Sequence, residues 1–206
     1  MNNDYDYIFK VIIIGDHNCG KTSLVNRYAD ENRPMEEQAT IGVDFMTKYY
    51  TNTNGKKIKL YLWDTAGQET FRSVVQLYYK NLAGAIFVFD VTNPKTFRNL
   101  NYWLNELQTK DDNETPVPML LLANKIDKTE QRRVGRKEAE AYARENGMLY
   151  EEVSVLNNTN TNAALSRLFE KIYDEFIDKD KICTGIRAKL IPVKQKSLLS
   201  RSCRLF

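Results

Sequence analysis

Short apolar runs of strand length alternate along this chain with longer amphipathic stretches. Such alternation predicts parallel strands joined by helical crossovers, an α/β pattern. Residues 8–14, 85–90 and 119–123 are rich in Val, Ile, Leu and Phe without polar alternation, as strands covered on both faces should be. They are read as the centre of a sheet. Residues 45–51 and 57–63 instead flank Asn54-Gly55, a hairpin signal because both residues tolerate positive φ. One antiparallel pair at the sheet edge is expected there. Helices are expected over residues 21–29, 71–80, 94–108, 136–146 and 162–178, with Pro94 near the start of the third and Gly147 closing the fourth.

Composition bounds this picture without changing it. The chain has 206 residues, 42% of them hydrophobic and 28% charged, enough for one well-buried globular domain. No stretch approaches the roughly 18 apolar residues of a membrane span, and the first ten residues are polar and acidic where a secretory leader is basic and then apolar. A cytoplasmic location is expected. Cys19, Cys183 and Cys203 form neither a metal-ligand spacing nor an even disulfide set, which fits a reducing compartment.

Charge changes it at one end. The net charge of +3 is uneven, because residues 179–206 hold eight Lys and Arg against one Asp, net +7, and leave −4 for the rest. Helical periodicity fades there into a basic segment with Pro192 and serines, read as a flexible tail following a globular domain of residues 1–178. No nucleic-acid partner is expected.

Three motifs carry candidate chemistry. Gly15-Asp16-His17-Asn18-Cys19-Gly20-Lys21-Thr22 has the spacing G-x-x-x-x-G-K-[ST], directly after an expected strand and before an expected helix, with Ser23 next in line. Backbone N–H groups of such a loop wrap the β-phosphate of a nucleotide, Lys21 reaches the β and γ oxygens, and the Thr22 hydroxyl can ligate Mg²⁺. Farther on, Asp64-Thr65-Ala66-Gly67-Gln68 follows a strand. Asp64 is a Walker-B-like carboxylate for Mg²⁺, Gly67 a donor to the γ-phosphate, and Gln68 the residue that orients an attacking water. Asn124-Lys125-Ile126-Asp127 then closes the strand 119–123. The Asp127 carboxylate can accept from N1–H and the exocyclic amine of guanine, a donor pair that adenine lacks.

With these motifs in this order, residues 7–178 resemble the Ras superfamily of small GTPases. Ile41-Gly42-Val43-Asp44-Phe45, the run Lys59–Trp63, Phe71-Arg72-Ser73, Tyr78-Tyr79 and the run Phe87–Thr92 place the resemblance in its Rab branch. The resemblance implies a P-loop NTPase fold: a six-stranded, mostly parallel sheet with one antiparallel edge strand and five flanking helices. It further implies that the protein binds and hydrolyses GTP as a switch in vesicle traffic on the cytosolic face of endomembranes. Its partners would be an exchange factor, a GTPase-activating protein, a dissociation inhibitor and effectors, with the chain itself a monomer. Thr40 would then bind Mg²⁺ and the γ-phosphate, and Phe45, Trp63 and Tyr78 would form the surface that effectors read. On residue type alone those aromatics are equally suited to a core.

The chain also departs from the family pattern. His17 stands where Ras proteins usually carry Gly and Rab proteins Ser, near the expected γ-phosphate, and Asn18 replaces a Gly expected at positive φ, where Asn costs least. A bulky His17 predicts slow hydrolysis; a side chain turned into solvent predicts little effect. In the base pocket Arg33 replaces a Phe or Tyr, and Ser154-Val155-Leu156 replaces Ser-Ala-Lys, which predicts weaker nucleotide affinity and faster exchange. Both departures favour the GTP-bound state, and at the extreme a nearly GTP-locked adaptor. The chain ends Cys203-Arg204-Leu205-Phe206, a C-a-a-X motif for prenylation of Cys203. One lipid binds marginally, so the basic tail supplies the second membrane signal.

Overall fold

The computed structural model describes residues 5–30, 40–111, 116–178 and 185–188. Along the chain run β1 (Tyr7–Ile14), α1 (Lys21–Ala29), β2 (Val43–Thr51), β3 (Lys57–Thr65), a short α2 (Arg72–Val75) and β4 (Gly84–Asp90). They are followed by α3 (Pro94–Arg98), α4 (Leu100–Lys110), β5 (Met119–Asn124), α5 (Arg136–Glu145), β6 (Leu149–Glu152), α6 (Thr161–Tyr173) and β7 (Ile186–Ala188). The sheet order is β2-β3-β1-β4-β5-β6. β1, β3, β4, β5 and β6 pair in parallel, and β2 lies antiparallel on β3. Every residue of β4 and β5 is buried, as their unbroken apolar sequence requires of central strands with both faces covered.

Strand periodicity places the chemistry. In β3 the buried residues Ile58, Leu60 and Leu62 alternate with half-buried neighbours, and the same parity delivers Asp64 to the interior at the strand's end, 2% exposed.

Four elements differ from what the periodicity predicts. The expected helix 71–80 is broken into a 3₁₀ turn (Glu69–Phe71), α2 and a second 3₁₀ turn (Gln76–Tyr78). Its apolar residues share no single face: Val75 and Tyr79 point inward while Val74 and Leu77 are exposed. The expected helix 94–108 is interrupted at Asn99, which ends α3 and begins α4. The last helix stops as an α-helix at Tyr173 and continues as a π-helical turn, Asp174–Asp178, that buries Phe176. The loop 52–56 is built by Asn52, not by two residues at positive φ. Its buried side chain accepts from the N–H groups of Asn54 (3.1 Å) and Lys56 (2.8 Å), and Gly55 takes φ 73°.

Two strands lack a sequence signal. β6 reads Leu-Tyr-Glu-Glu and is half-buried throughout, so no apolar run marks it. β7 falls in the segment whose composition reads as tail. It pairs antiparallel with Tyr7–Phe9, below the point at which β4 joins β1 at Val11. Gly185 makes the approach possible, since a Cβ there would lie 2.0 Å from the carbonyl carbon of Leu82.

Candidate functional site

The carboxyl ends of parallel strands converge on one edge of the sheet, where open α/β folds bind ligands. β1 runs into Gly15, and the loop from Asp16 to Gly20 leads into α1 at Lys21. Asn18 adopts φ 63°, the conformation expected when it replaces a glycine. The loop is gripped from several sides. The His17 N–H donates to the Gly67 carbonyl at 3.1 Å, and Gly67 must lack a side chain because a Cβ would stand 2.3 Å from the His17 nitrogen. The Asn124 side-chain amide donates to the Cys19 carbonyl (2.9 Å), and Lys125 Nζ donates to the Asn18 carbonyl (2.7 Å). Cys19 is fully buried, and that burial pushes its thiol pKa up, so it packs as an inert small hydrophobe.

Lys21, 5% exposed, donates through Nζ to the Asp16 carbonyl at 2.8 Å. Beside it three oxygens from separate segments meet. Thr22 Oγ1 lies 2.5 Å from Thr40 Oγ1 and donates to Asp64 Oδ2 at 2.5 Å, and Thr40 Oγ1 donates to that same oxygen at 3.4 Å. The other carboxylate oxygen, Oδ1, is buried without a hydrogen-bond partner. Burial pushes the Asp64 pKa up, against the Thr22 hydrogen bond and the Lys21 charge. An orphaned buried carboxylate oxygen beside two hydroxyls is a donor set that fits a hard cation such as Mg²⁺. Gln68 follows Gly67 and is half-buried.

On the base side Asn124 Oδ1 accepts from the N–H groups of Lys125 (2.7 Å) and Val155 (3.2 Å). Ser154 Oγ donates to Asp127 Oδ1 at 2.5 Å, which orients the carboxylate. Leu156 is 57% exposed at the end of that loop. Sequence reasoning missed two supports. Arg27, on α1, donates through Nε to the Val155 carbonyl and through Nη2 to the Leu156 carbonyl, both at 3.3 Å. Asp90, at the end of β4, pairs with Lys125 at 2.8 Å; burial pushes its pKa up, but hydrogen bonds from Lys125 and Thr92 prevail and hold it below the usual range. Its place at a strand end beside the motif was the available signal.

Phe45, Trp63 and Tyr78 form a cluster at the margin of the core, with Phe45 exposed and Trp63 and Tyr78 half-buried against the core. Ring centroids lie 4.8 Å apart for Phe45–Trp63 and 4.9 Å for Trp63–Tyr78, with Phe45 46% exposed.

Residues 10–174 match the Ras family. This chain belongs to that family. Its relatives place it in the Rab branch. It is 37% identical to Ras-related protein RABA2a of Arabidopsis thaliana over 84% of this chain and 78% of that protein. It is 38% identical to Ras-related protein YPTC6 of Chlamydomonas reinhardtii over the same shares, and 40% identical to Ras-related protein RABA5c of Arabidopsis thaliana over 84% of this chain and 80% of that protein. The Rab chain is accordingly a GTPase, a hydrolase of the P-loop fold class. Among its described residues no helix is long and apolar enough to cross a membrane. Arg33, Cys183, Cys203 and Arg204 lie outside the described residues.

Proposed function

We propose that this Rab GTPase is a GTP-driven switch in vesicle traffic, held on the cytosolic face of endomembranes by a prenyl group on Cys203 and its basic tail. The observation that carries the reading is the meeting of Thr22, Thr40 and Asp64 beside Lys21, three separate segments converging at a P-loop. Those three would hold Mg²⁺, which when bound supplies charge neutralisation on the β- and γ-phosphate oxygens.

The remaining residues divide the work. The amides from Asp16 to Ser23, with Lys21, cradle the phosphates and meet developing charge. Gly67 donates to the γ-phosphate and Gln68 orients the attacking water. Asp127 selects guanine, with Asn124, Lys125 and the loop Ser154-Val155-Leu156 shaping its pocket. Phe45, Trp63 and Tyr78 offer effectors a rigid aromatic patch. Exchange, activating and dissociation-inhibiting proteins would set the timing of a monomer.

A second reading, a nearly GTP-locked adaptor, rests on His17. Its peptide is bonded to Gly67, one residue before Gln68, so an imidazole stands close to the segment that must order water. The side chain is exposed, which leaves it room to turn away. Single-turnover hydrolysis of GTP by wild type and His17→Ser separates the two readings. Equal rates support the timed switch, and a variant faster by about tenfold or more supports the adaptor. ATP displacing GTP at equal concentration would sink both. Incorporation of a labelled prenyl donor, abolished in Cys203→Ser, tests the anchor.

A further inference from the structure

We infer that Asn99 and Trp103 are positioning residues for nucleotide binding, holding the carboxylate of Asp16 on the helix side of the P-loop. The inference rests on the proposed binding of nucleotide at that loop. Asp16 is the second residue of the loop, and a carboxylate there is an electrostatic liability: a like charge beside a phosphate site opposes the ligand. Its two oxygens are both engaged. Asn99 Nδ2 donates to Oδ2 at 2.6 Å and Trp103 Nε1 donates to Oδ1 at 2.9 Å.

Both donors are turned onto Asp16. Trp103 is 1% exposed within the buried stripe Leu100, Trp103, Leu104 and Leu107 of α4. A buried indole N–H needs an acceptor, and the one it meets is a carboxylate of the phosphate loop. Asn99 occupies the N-cap position of α4 yet makes no side-chain cap bond to the helix. An Asn at that position ordinarily turns its carbonyl oxygen onto the helix's own N–H groups. Here its amide points at Asp16, and the interruption between α3 and α4 supplies the half-buried position from which it reaches.

The same residue is tied on its other side. The Asp16 carbonyl accepts from Lys21 Nζ at 2.8 Å and the next N–H, of His17, donates to Gly67. The two donors, one at the α3–α4 junction and one on α4, thus fix the orientation of the first peptides of the loop, and the carboxylate they hold is kept from swinging toward the phosphates. Neither residue belongs to any of the three sequence motifs.

The test is release of a fluorescent GDP from the full chain in Mg²⁺. Trp103→Phe keeps the apolar ring and removes the donor; it is expected to speed release about tenfold, the scale of a lost charge-assisted hydrogen bond. Asn99→Ala, at a half-buried helix junction, is expected to speed it about threefold and serves if the Trp103 variant does not fold. Both accelerations should shrink as salt is raised, because they arise from a freed carboxylate. In an Asp16→Asn background Trp103→Phe should change release by less than about twofold. A merely packing role would leave its effect unaltered by salt and by Asp16→Asn, and either result overturns the inference, as do release rates of both single variants within about twofold of wild type. A wild-type chain that retains no guanine nucleotide overturns the proposed function itself, and the inference with it.

Discussion

At the scale of single residues, the candidate site depends on a few charges held by fixed partners. Asp127 has one oxygen already held by Ser154, so its orientation is set before any base arrives and little entropy remains to be lost on binding. If Asp127 accepts from guanine as proposed, Asp127→Ala removes the acceptor of two donors, each worth about 1.5–3 kcal/mol when charge-assisted. GTP affinity is expected to fall at least about 100-fold with ATP affinity unchanged, as calorimetric titration would show. Asp90 makes a pH-dependent contribution. Its pKa is lowered in the folded chain, so its stabilisation is complete above the ordinary carboxylate value of about 4 and is lost as pH falls through the depressed folded value. In urea titrations the stability gap between wild type and Asp90→Asn should be full at neutral pH and close on acidification. A gap that persists at the lowest pH would show that the Lys125 ion pair is not its source.

At the scale of elements, apolar sequence and burial agree wherever a segment is covered on both faces, and part where one face is left to compete. β4 and β5 follow directly from their composition. The segment 71–80 does not, because adjacent apolar residues point to opposite sides and the backbone bends to bury only Val75 and Tyr79. What remains outside is Val74 and Leu77, exposed on either side of the inward-pointing Val75. β7 shows the reverse case, a strand without a hydrophobic run. Its place depends on Gly185 passing against Leu82 and Ala83 and on the Lys10 N–H donating to the Gly185 carbonyl at 3.1 Å. Gly185→Val should detach it. The Lys10 amide is then expected to lose hydrogen-exchange protection while GDP affinity stays within about twofold of wild type; protection as in wild type would mean that the sheet accommodates the side chain.

At the scale of the molecule, a compact domain of low net charge carries a strongly basic end. Residues 179–206 have a net charge of +7, and basic residues near anionic lipid contribute about 1 kcal/mol each. If Cys203 carries the prenyl group proposed above, the chain should bind vesicles containing phosphatidylserine more tightly than neutral ones, by a margin that shrinks between about 0.1 and 0.5 M salt. Sedimentation with the two vesicle types measures it. Equal binding to both would leave the lipid as the sole anchor.

The amino-acid order alone determined the fold class, the central strands, the three nucleotide motifs and the positions of Thr22, Asp64 and Asp127, because each rests on local spacing: a strand's parity, a loop's length, a turn before a helix. Tertiary structure decided what depends on residues distant in the chain. It brought Thr40 to Thr22 and Asp64, Arg27 to the loop after β6, Asp90 to Lys125, and Asn99 with Trp103 to Asp16. It also placed β7 beside the amino-terminal end of β1 and gathered Phe45, Trp63 and Tyr78 into one partly exposed cluster. The physical reason is common to all of these. A contact between residues 15 to 181 positions apart leaves no period in the sequence, since it is the folding of the sheet and its helices that makes the two partners neighbours.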